Sequence, residues 1–138
     1  MTAATDLVLT STQAGVTTVT MNRPEALNAL SAGLRNCLTE IFADLAEDSA
    51  TEVIIFTGKG RAFTVGLDLK ELGGETPADT ALNKDLGKAM LQVNKPIIGA
   101  INGYAITGGF ELALMCDFMI ASENAKFADT HARVGGVP

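Results

Sequence analysis

A strand-like run followed by two adjacent glycines and an apolar helix constrains the fold of this chain more than any other segment. The run covers residues 96–101, the glycines are Gly108 and Gly109, and the helix extends to about Met115. Glycines at a helix start present bare backbone N–H groups to a ligand. Glu111 is the one charge in this helix, where it is placed to move protons beside such donors. The segment predicts an oxyanion site, although a helix dipole alone also favours one carboxylate here.

Composition excludes several classes of protein. The chain has 138 residues, of which 47% are apolar and 19% charged, as expected of one globular domain with a real core. The net charge is −6, and no cluster of lysines and arginines offsets it. This balance argues against a nucleic-acid partner.

The N-terminal residues, the apolar runs and the cysteines indicate the cellular compartment. The first residues, MTAATDLVLTSTQ, lack the basic segment and long apolar run of a secretory signal, and no apolar run approaches membrane-spanning length. Cys37 and Cys116 fall in helical patterns and predict two buried thiols in a reducing compartment, with no metal cluster around them. We therefore expect a cytoplasmic soluble protein with no membrane partner.

Alternating strand and helix patterns predict an α/β fold with parallel strands joined by right-handed crossovers. Two β-rich runs around Gly15 predict a hairpin, and apolar residues at helical spacing predict a helix from an N-cap at Ser31 to about Asp48. The other predicted elements are a strand at 53–57 covered on both faces, a helix at about 78–93, a strand at 96–101, a helix at Gly108–Met115, and strands at Phe118–Ala121 and Lys126–Ala128.

A second loop, RAFTVGLDLKE at residues 61–71, leaves a buried strand and enters a short predicted helix. Gly66 permits a tight backbone path, so that the Leu67 N–H faces a ligand, and Asp68 is placed to cap the helix. Taken alone, this loop is also typical of an ordinary strand-to-helix connection. A phosphate-binding loop is disfavoured because the Gly-Lys-Ser/Thr ending is missing.

The two loops together resemble those of the crotonase superfamily, the enoyl-CoA hydratase/isomerase family. The matching segments are NRPEALNALS (22–31), RAFTVGLDLKE (61–71), KPIIGAINGYAITGGFELALMCD (95–117) and KFADTHARVGGVP (126–138), in the family's order and spacing. The resemblance implies a crotonase-like spiral of ββα units and covers about the N-terminal half of a usual member. It therefore implies that residues 1–138 form a truncated CoA-thioester-binding core without the C-terminal helical region, and that the full-length form is a homo-trimer or hexamer.

The resemblance also implies site residues. It places the thioester oxygen in an oxyanion hole made by the backbone N–H groups of Leu67 and Gly108. The residues that it implies around coenzyme A are Arg23 at the nucleotide end, Val65, Leu69 and Lys70. Lys70 also fits a solvated surface lysine.

Hydratases of this family place two glutamates around one water molecule. Glu111 matches the first, and His131 stands where the second is expected. Histidine exchanges protons near neutral pH but lacks the paired oxygens of a carboxylate. His131 is thus either catalytic or an ordinary loop residue, and Asp129 is near enough in sequence to orient its imidazole.

The activity that the resemblance implies is that of a lyase of fatty acid metabolism, which adds water to 2-enoyl-CoA thioesters. No metal or redox cofactor is expected, since coenzyme A is part of the substrate. Enoyl-CoA isomerisation, thioester hydrolysis and acyl-CoA binding without catalysis remain alternatives, because His131 departs from the family pattern.

Overall fold

Two sheets organise the part of the chain that this computed structural model describes, residues 6–68 and 82–129. The strands are β1 (Val8–Gln13), β2 (Val16–Met21), β3 (Val53–Gly58), β4 (Ala62–Thr64), β5 (Ile97–Ile101), β6 (Tyr104–Ile106), β7 (Phe118–Ala121) and β8 (Lys126–Ala128). The helices are α1 (Ala32–Glu47), α2 (Leu82–Gln92) and α3 (Gly108–Met115), with a 3₁₀ turn at Pro24–Ala26.

The order of the elements repeats along the chain as β1-β2-α1, β3-β4-α2 and β5-β6-α3, followed by β7 and β8. After the antiparallel hairpin of β1 and β2, odd-numbered strands extend a sheet with the order β1-β2-β3-β5-β7. Even-numbered strands form a second sheet with the order β4-β6-β8, and every pair outside the hairpin is parallel. Within the described residues this confirms the predicted α/β spiral of ββα units.

The hairpin and the first helix form where short sequence signals predicted them. Ala14 and Gly15 both have positive φ values, 53° and 83°, which suit the tight turn of a two-residue hairpin. The Ser31 side chain accepts a hydrogen bond from the Leu34 N–H at 3.2 Å, which confirms it as the N-cap of α1.

Three expectations about strands are wrong. The chain between β3 and Asp68 was expected to be a loop throughout, and no strand was expected at Tyr104–Ile106, yet β4 and β6 form there and pair with each other. Strand β3 was expected to be covered on both faces, but only Ile54, Phe56 and Gly58 are buried, and the alternate residues are half-buried. The described core therefore covers one face of this strand.

Three aromatic rings connect a helix and both sheets. Phe42 of α1 meets Phe56 of β3 edge-on, with ring centroids 5.2 Å apart. Phe56 meets Phe63 of β4 in the same way, also at 5.2 Å. All three side chains are fully buried, and edge-to-face pairs add to the gain from burial. This packing fixes β4, and with it the start of the loop that follows Thr64.

Other sequence expectations concern membranes, metals and thiols. Within residues 6–68 and 82–129, none of the helices has the length and apolarity needed to cross a membrane. No group of His, Cys, Asp and Glu side chains in the same residues is placed to hold a metal ion.

Cys116 is buried as predicted, and burial raises the pKa of its thiol to about 12, with Asp117 adding to the rise. Cys37 is only half-buried, and burial followed by Glu40 raises the pKa of its thiol.

The central ring provides a test of the core. We expect Phe56→Ala to lower the free energy of unfolding by about 3–5 kcal/mol, because it leaves a cavity between Phe42 and Phe63. Urea denaturation followed by circular dichroism measures the change. Leu91→Ala is the control, since this side chain is 75% exposed on α2, and it should change stability by less than about 0.5 kcal/mol. A loss in Phe56→Ala no larger than the control's would contradict this packing.

Candidate functional site

The loop of residues 64–68, here called the oxyanion loop after the role predicted for its Leu67 N–H, is attached to the segment that precedes α1. The Leu30 N–H donates to the Gly66 carbonyl at 2.7 Å, within an isolated parallel bridge between Leu30 and Leu67. The Thr64 hydroxyl donates to the Asn28 carbonyl at 2.6 Å. These bonds join parts of the chain that are distant in sequence and fix the path of the loop.

The first of these bonds sets the direction of the Leu67 N–H. In a trans peptide the carbonyl and the N–H of the following residue point in opposite directions, and the described residues contain no cis peptide bond. Because the Gly66 carbonyl faces Leu30, the Leu67 N–H of the same peptide points away from Leu30. The predicted donor is therefore oriented by the backbone and does not depend on the leucine side chain.

Gly66 brings the oxyanion loop against the start of α3. Its φ of +89° is one that side-chain-bearing residues rarely adopt. A Cβ at this position would lie 2.9 Å from the Gly108 nitrogen and 3.0 Å from the Ile106 carbonyl oxygen. A Cβ at Gly109 would overlap the Thr64 carbonyl. The structure thus brings together the two backbone segments that were predicted to form one site.

Thr107 holds the first turn of α3 in an unusual conformation. Its φ of 52° and ψ of −105° are strained for a β-branched residue, and strain of this kind is found at functional sites. Two hydrogen bonds maintain it, from the Thr107 N–H to the Ala128 carbonyl at 2.7 Å and from the Glu111 N–H to the Thr107 carbonyl at 2.9 Å. Because that carbonyl points into the helix, the Gly108 N–H of the same peptide points out of the helix N-terminus.

Glu111 lies in the first turn of α3 and is exposed. It follows Gly108 by three positions, so both residues lie on the same side of the helix. Next to it in sequence, the ring of Phe110 contacts that of Phe127 on β8 at a centroid distance of 5.8 Å. The first turn of α3 therefore carries a backbone donor, a carboxylate and an aromatic pair.

The remaining predicted residues differ in how the structure places them. Val65 is half-buried, and its N–H donates to the Leu27 carbonyl at 3.2 Å. Arg23 forms an ion pair with Asp68, from Nη1 to Oδ2 at 3.0 Å. Asp129 is exposed at the end of β8. The predictions for Leu69, Lys70 and His131, and for a helix capped by Asp68, fall on or require residues outside those that the structure describes.

Sequence reasoning missed two buried side chains that support the oxyanion loop. Asn28 is fully buried; its Oδ1 accepts from the Arg23 N–H at 2.7 Å, and its Nδ2 donates to the Ala62 carbonyl at 2.9 Å. Arg35 is 3% exposed and donates to the Leu30 carbonyl at 3.0 Å. The available signal was a polar residue within an otherwise apolar pattern, but its partners are not visible in the sequence.

Comparisons with known proteins point to one family. Residues 11–138 match the family model described as enoyl-CoA hydratase/isomerase. A probable peroxisomal enoyl-CoA hydratase of Arabidopsis thaliana is 45% identical over 131 residues, which cover 90% of this chain and 47% of that protein. A probable mitochondrial enoyl-CoA hydratase of Dictyostelium discoideum is 44% identical over 123 residues, with coverages of 87% and 44%.

A solved structure gives the same result. The crystal structure of enoyl-CoA hydratase from Mycobacterium tuberculosis superposes with a TM-score of 0.82 at 49% identity, over 96% of this chain and 56% of that one. The chain thus spans about half the length of the curated relatives it matches.

The contact between Gly66 and Gly108 is testable with a matched pair of variants. Gly66→Ala and Gly15→Ala both introduce strain of about 1–3 kcal/mol, because their φ values are +89° and +83°. The nearest atoms to a Cβ at Gly15 are those of the flexible Glu52 side chain, which can move aside. Gly66→Ala also places a methyl group against backbone atoms, so we expect it to be less stable by a further ~1–3 kcal/mol. Urea denaturation of both variants measures the difference. Equal losses would show that the oxyanion loop does not lie against α3.

Proposed function

The chain belongs to the enoyl-CoA hydratase/isomerase family, and from this membership we propose that the protein adds water to 2-enoyl-CoA thioesters. The observation that carries the proposal is the close approach of Gly66 to the start of α3. A Cβ built on Gly66 would lie 2.9 Å from the Gly108 nitrogen. It supports an oxyanion hole formed by the Leu67 and Gly108 N–H groups. The names of the two curated relatives describe those proteins as probable enoyl-CoA hydratases.

In the proposed reaction the thioester oxygen accepts hydrogen bonds from both N–H groups. As the oxygen of water bonds to C3, the electrons of the C2–C3 double bond move toward the carbonyl and leave enolate charge on the thioester oxygen. Donors that are already oriented stabilise this charge without reorganising, and each contributes roughly 3 kcal/mol. The 66–67 and 107–108 peptides therefore supply stabilisation that is larger in the transition state than in the bound substrate.

Glu111 is the proposed general base. Its position on the same side of α3 as Gly108 supports an approach to C3 of a thioester whose oxygen lies at the hole. The carboxylate takes a proton from the attacking water, and a proton is delivered to C2 by Glu111 or by His131. The addition changes no net oxidation state, so the mechanism requires no redox cofactor. It is also proposed without a metal, because the two backbone donors stabilise the charge on the thioester oxygen.

The remaining parts of the proposal concern the binding of coenzyme A, the oligomeric state and the cellular location. Val65, Leu69 and Lys70 are proposed to contact coenzyme A, and the full-length form is proposed to be a trimer or hexamer. A cytoplasmic location stays a prediction, and the names of the two relatives place those proteins in peroxisomes and mitochondria.

Substitution of Glu111 tests the mechanism. We expect Glu111→Gln to lower kcat for hydration of a 2-enoyl-CoA by about 10²- to 10⁴-fold, because an amide does not accept the proton. Binding of the thioester should be retained. The loss of enoyl absorbance on water addition measures turnover, and calorimetry measures binding.

Glu123→Gln is the matched control, since it removes a carboxylate from an exposed turn between β7 and β8. Full hydratase activity in Glu111→Gln would rule out the mechanism. Conversion of 3-enoyl-CoA by the unsubstituted protein would indicate an isomerase, and release of free thiol would indicate a thioester hydrolase. Acyl-CoA binding without any turnover would indicate a non-catalytic binding protein.

A further inference from the structure

Arg23 connects the segment before α1 to the oxyanion loop. Its Nη1 donates to Asp68 Oδ2 at 3.0 Å and to the Ala29 carbonyl at 2.9 Å. Its backbone N–H donates to the Oδ1 of the buried Asn28 at 2.7 Å. The Arg23 and Asp68 side chains are only 25% and 10% exposed, so solvent weakens their pairing less than it would on an open surface.

The position of this ion pair matters because Leu67 lies between two attachments. On one side the Gly66 carbonyl is held by the Leu30 N–H, and on the other Asp68 is held by Arg23. Both attachments lead to the same short segment of residues 23–30. Fixing a chain immediately before and after one residue restricts the rotation of its peptide planes, and with it the direction of the Leu67 N–H.

The charges around Arg23 do not favour a polyanion. An open groove of about 450 Å³ beside it is lined by Asp6, Leu7, Asn22, Arg23, Pro24 and Glu25. Two carboxylates thus share this groove with one guanidinium, whose charge already faces Asp68. A phosphate group is attracted by a surplus of positive charge, which the described lining lacks.

We propose that Arg23 is a positioning residue, which holds Asp68 and thereby orients the Leu67 N–H, and that it does not bind the nucleotide end of coenzyme A. The inference rests on the proposed function, because it concerns the oxyanion hole. It revises the role that the family resemblance implied for this residue.

The first test separates the two roles of Arg23 by the substrate used. We compare Arg23→Met with the unsubstituted protein on a 2-enoyl-CoA and on the corresponding pantetheine thioester, which lacks the nucleotide. We expect kcat to fall about 10- to 100-fold for both substrates, with little change in KM, because the donor is misplaced. A rise in KM confined to the CoA thioester, with kcat unchanged, would instead assign Arg23 to nucleotide binding and overturn the inference.

The second test asks whether Arg23 acts through Asp68. In a double-mutant cycle, Arg23→Met combined with Asp68→Asn should lower kcat no further than the larger single effect, and fully additive losses would overturn the inference. Arg23→Lys keeps one charged donor and should recover part of the lost kcat. Lys88→Met, which removes an exposed charge on α2, should leave kcat unchanged.

A spectroscopic measurement covers the case in which a variant folds poorly or loses turnover. The infrared stretch of a ¹³C-labelled thioester carbonyl in a bound saturated acyl-CoA reports how strongly the hole polarises it. We expect a shift to lower frequency in the unsubstituted protein and a smaller shift in Arg23→Met and Asp68→Asn. If the unsubstituted protein shows both the infrared shift and turnover, and both are unchanged in the two variants, this inference alone would be overturned. Absence of both in the unsubstituted protein would overturn the proposed function, and this inference with it.

Discussion

The hydrogen bond from the Leu30 N–H to the Gly66 carbonyl is the interaction on which the candidate site depends. It is 2.7 Å long and joins the segment before α1 to the oxyanion loop after β4. By fixing one carbonyl it also fixes the N–H on the opposite side of the same peptide. The aromatic contact between Phe56 and Phe63 holds β4 in the core, so the loop starts from a buried strand. The geometry of a backbone donor therefore follows from the packing of the fold.

The start of α3 is fixed by the same means. The strained backbone of Thr107 persists because its N–H is bonded to β8 and its carbonyl to the next turn of the helix. Gly66 and Gly109 remove the two side chains that would keep this turn away from the oxyanion loop. Donors held in this way are preorganised, which is the property that makes an oxyanion hole effective. The arrangement also explains why a leucine at position 67 is compatible with the proposed chemistry.

The parts of this structure that the sequence predicted are those with local signals. The turn at Gly15 and the cap at Ser31 are encoded within a few residues, and the elements they begin were found. Strands β4 and β6 have three residues each and lie between glycines, Gly60 and Gly66 around β4 and Gly103 and Gly108 around β6, so the sequence there is typical of a loop. An apolar run such as β3 does not show which of its faces a second layer will cover. Asn28 was missed because the carbonyl groups to which its side-chain amide donates, those of Lys59 and Ala62, lie more than thirty positions away.

The proposed chemistry has two parts, the backbone donors of the oxyanion hole and the Glu111 carboxylate. The described residues enclose the first more fully than the second. The backbone donors come from the β3-β4 and β5-β6 units. Strands β3, β5 and β6 lie between other strands, and the edge strand β4 is buried at all three of its residues. Glu111 is exposed, and the neighbouring strand β7 exposes Phe118 by 53% and Ile120 by 63%. Electrostatic stabilisation and proton transfer are strongest where water is excluded, so the Glu111 side of the site requires a cover.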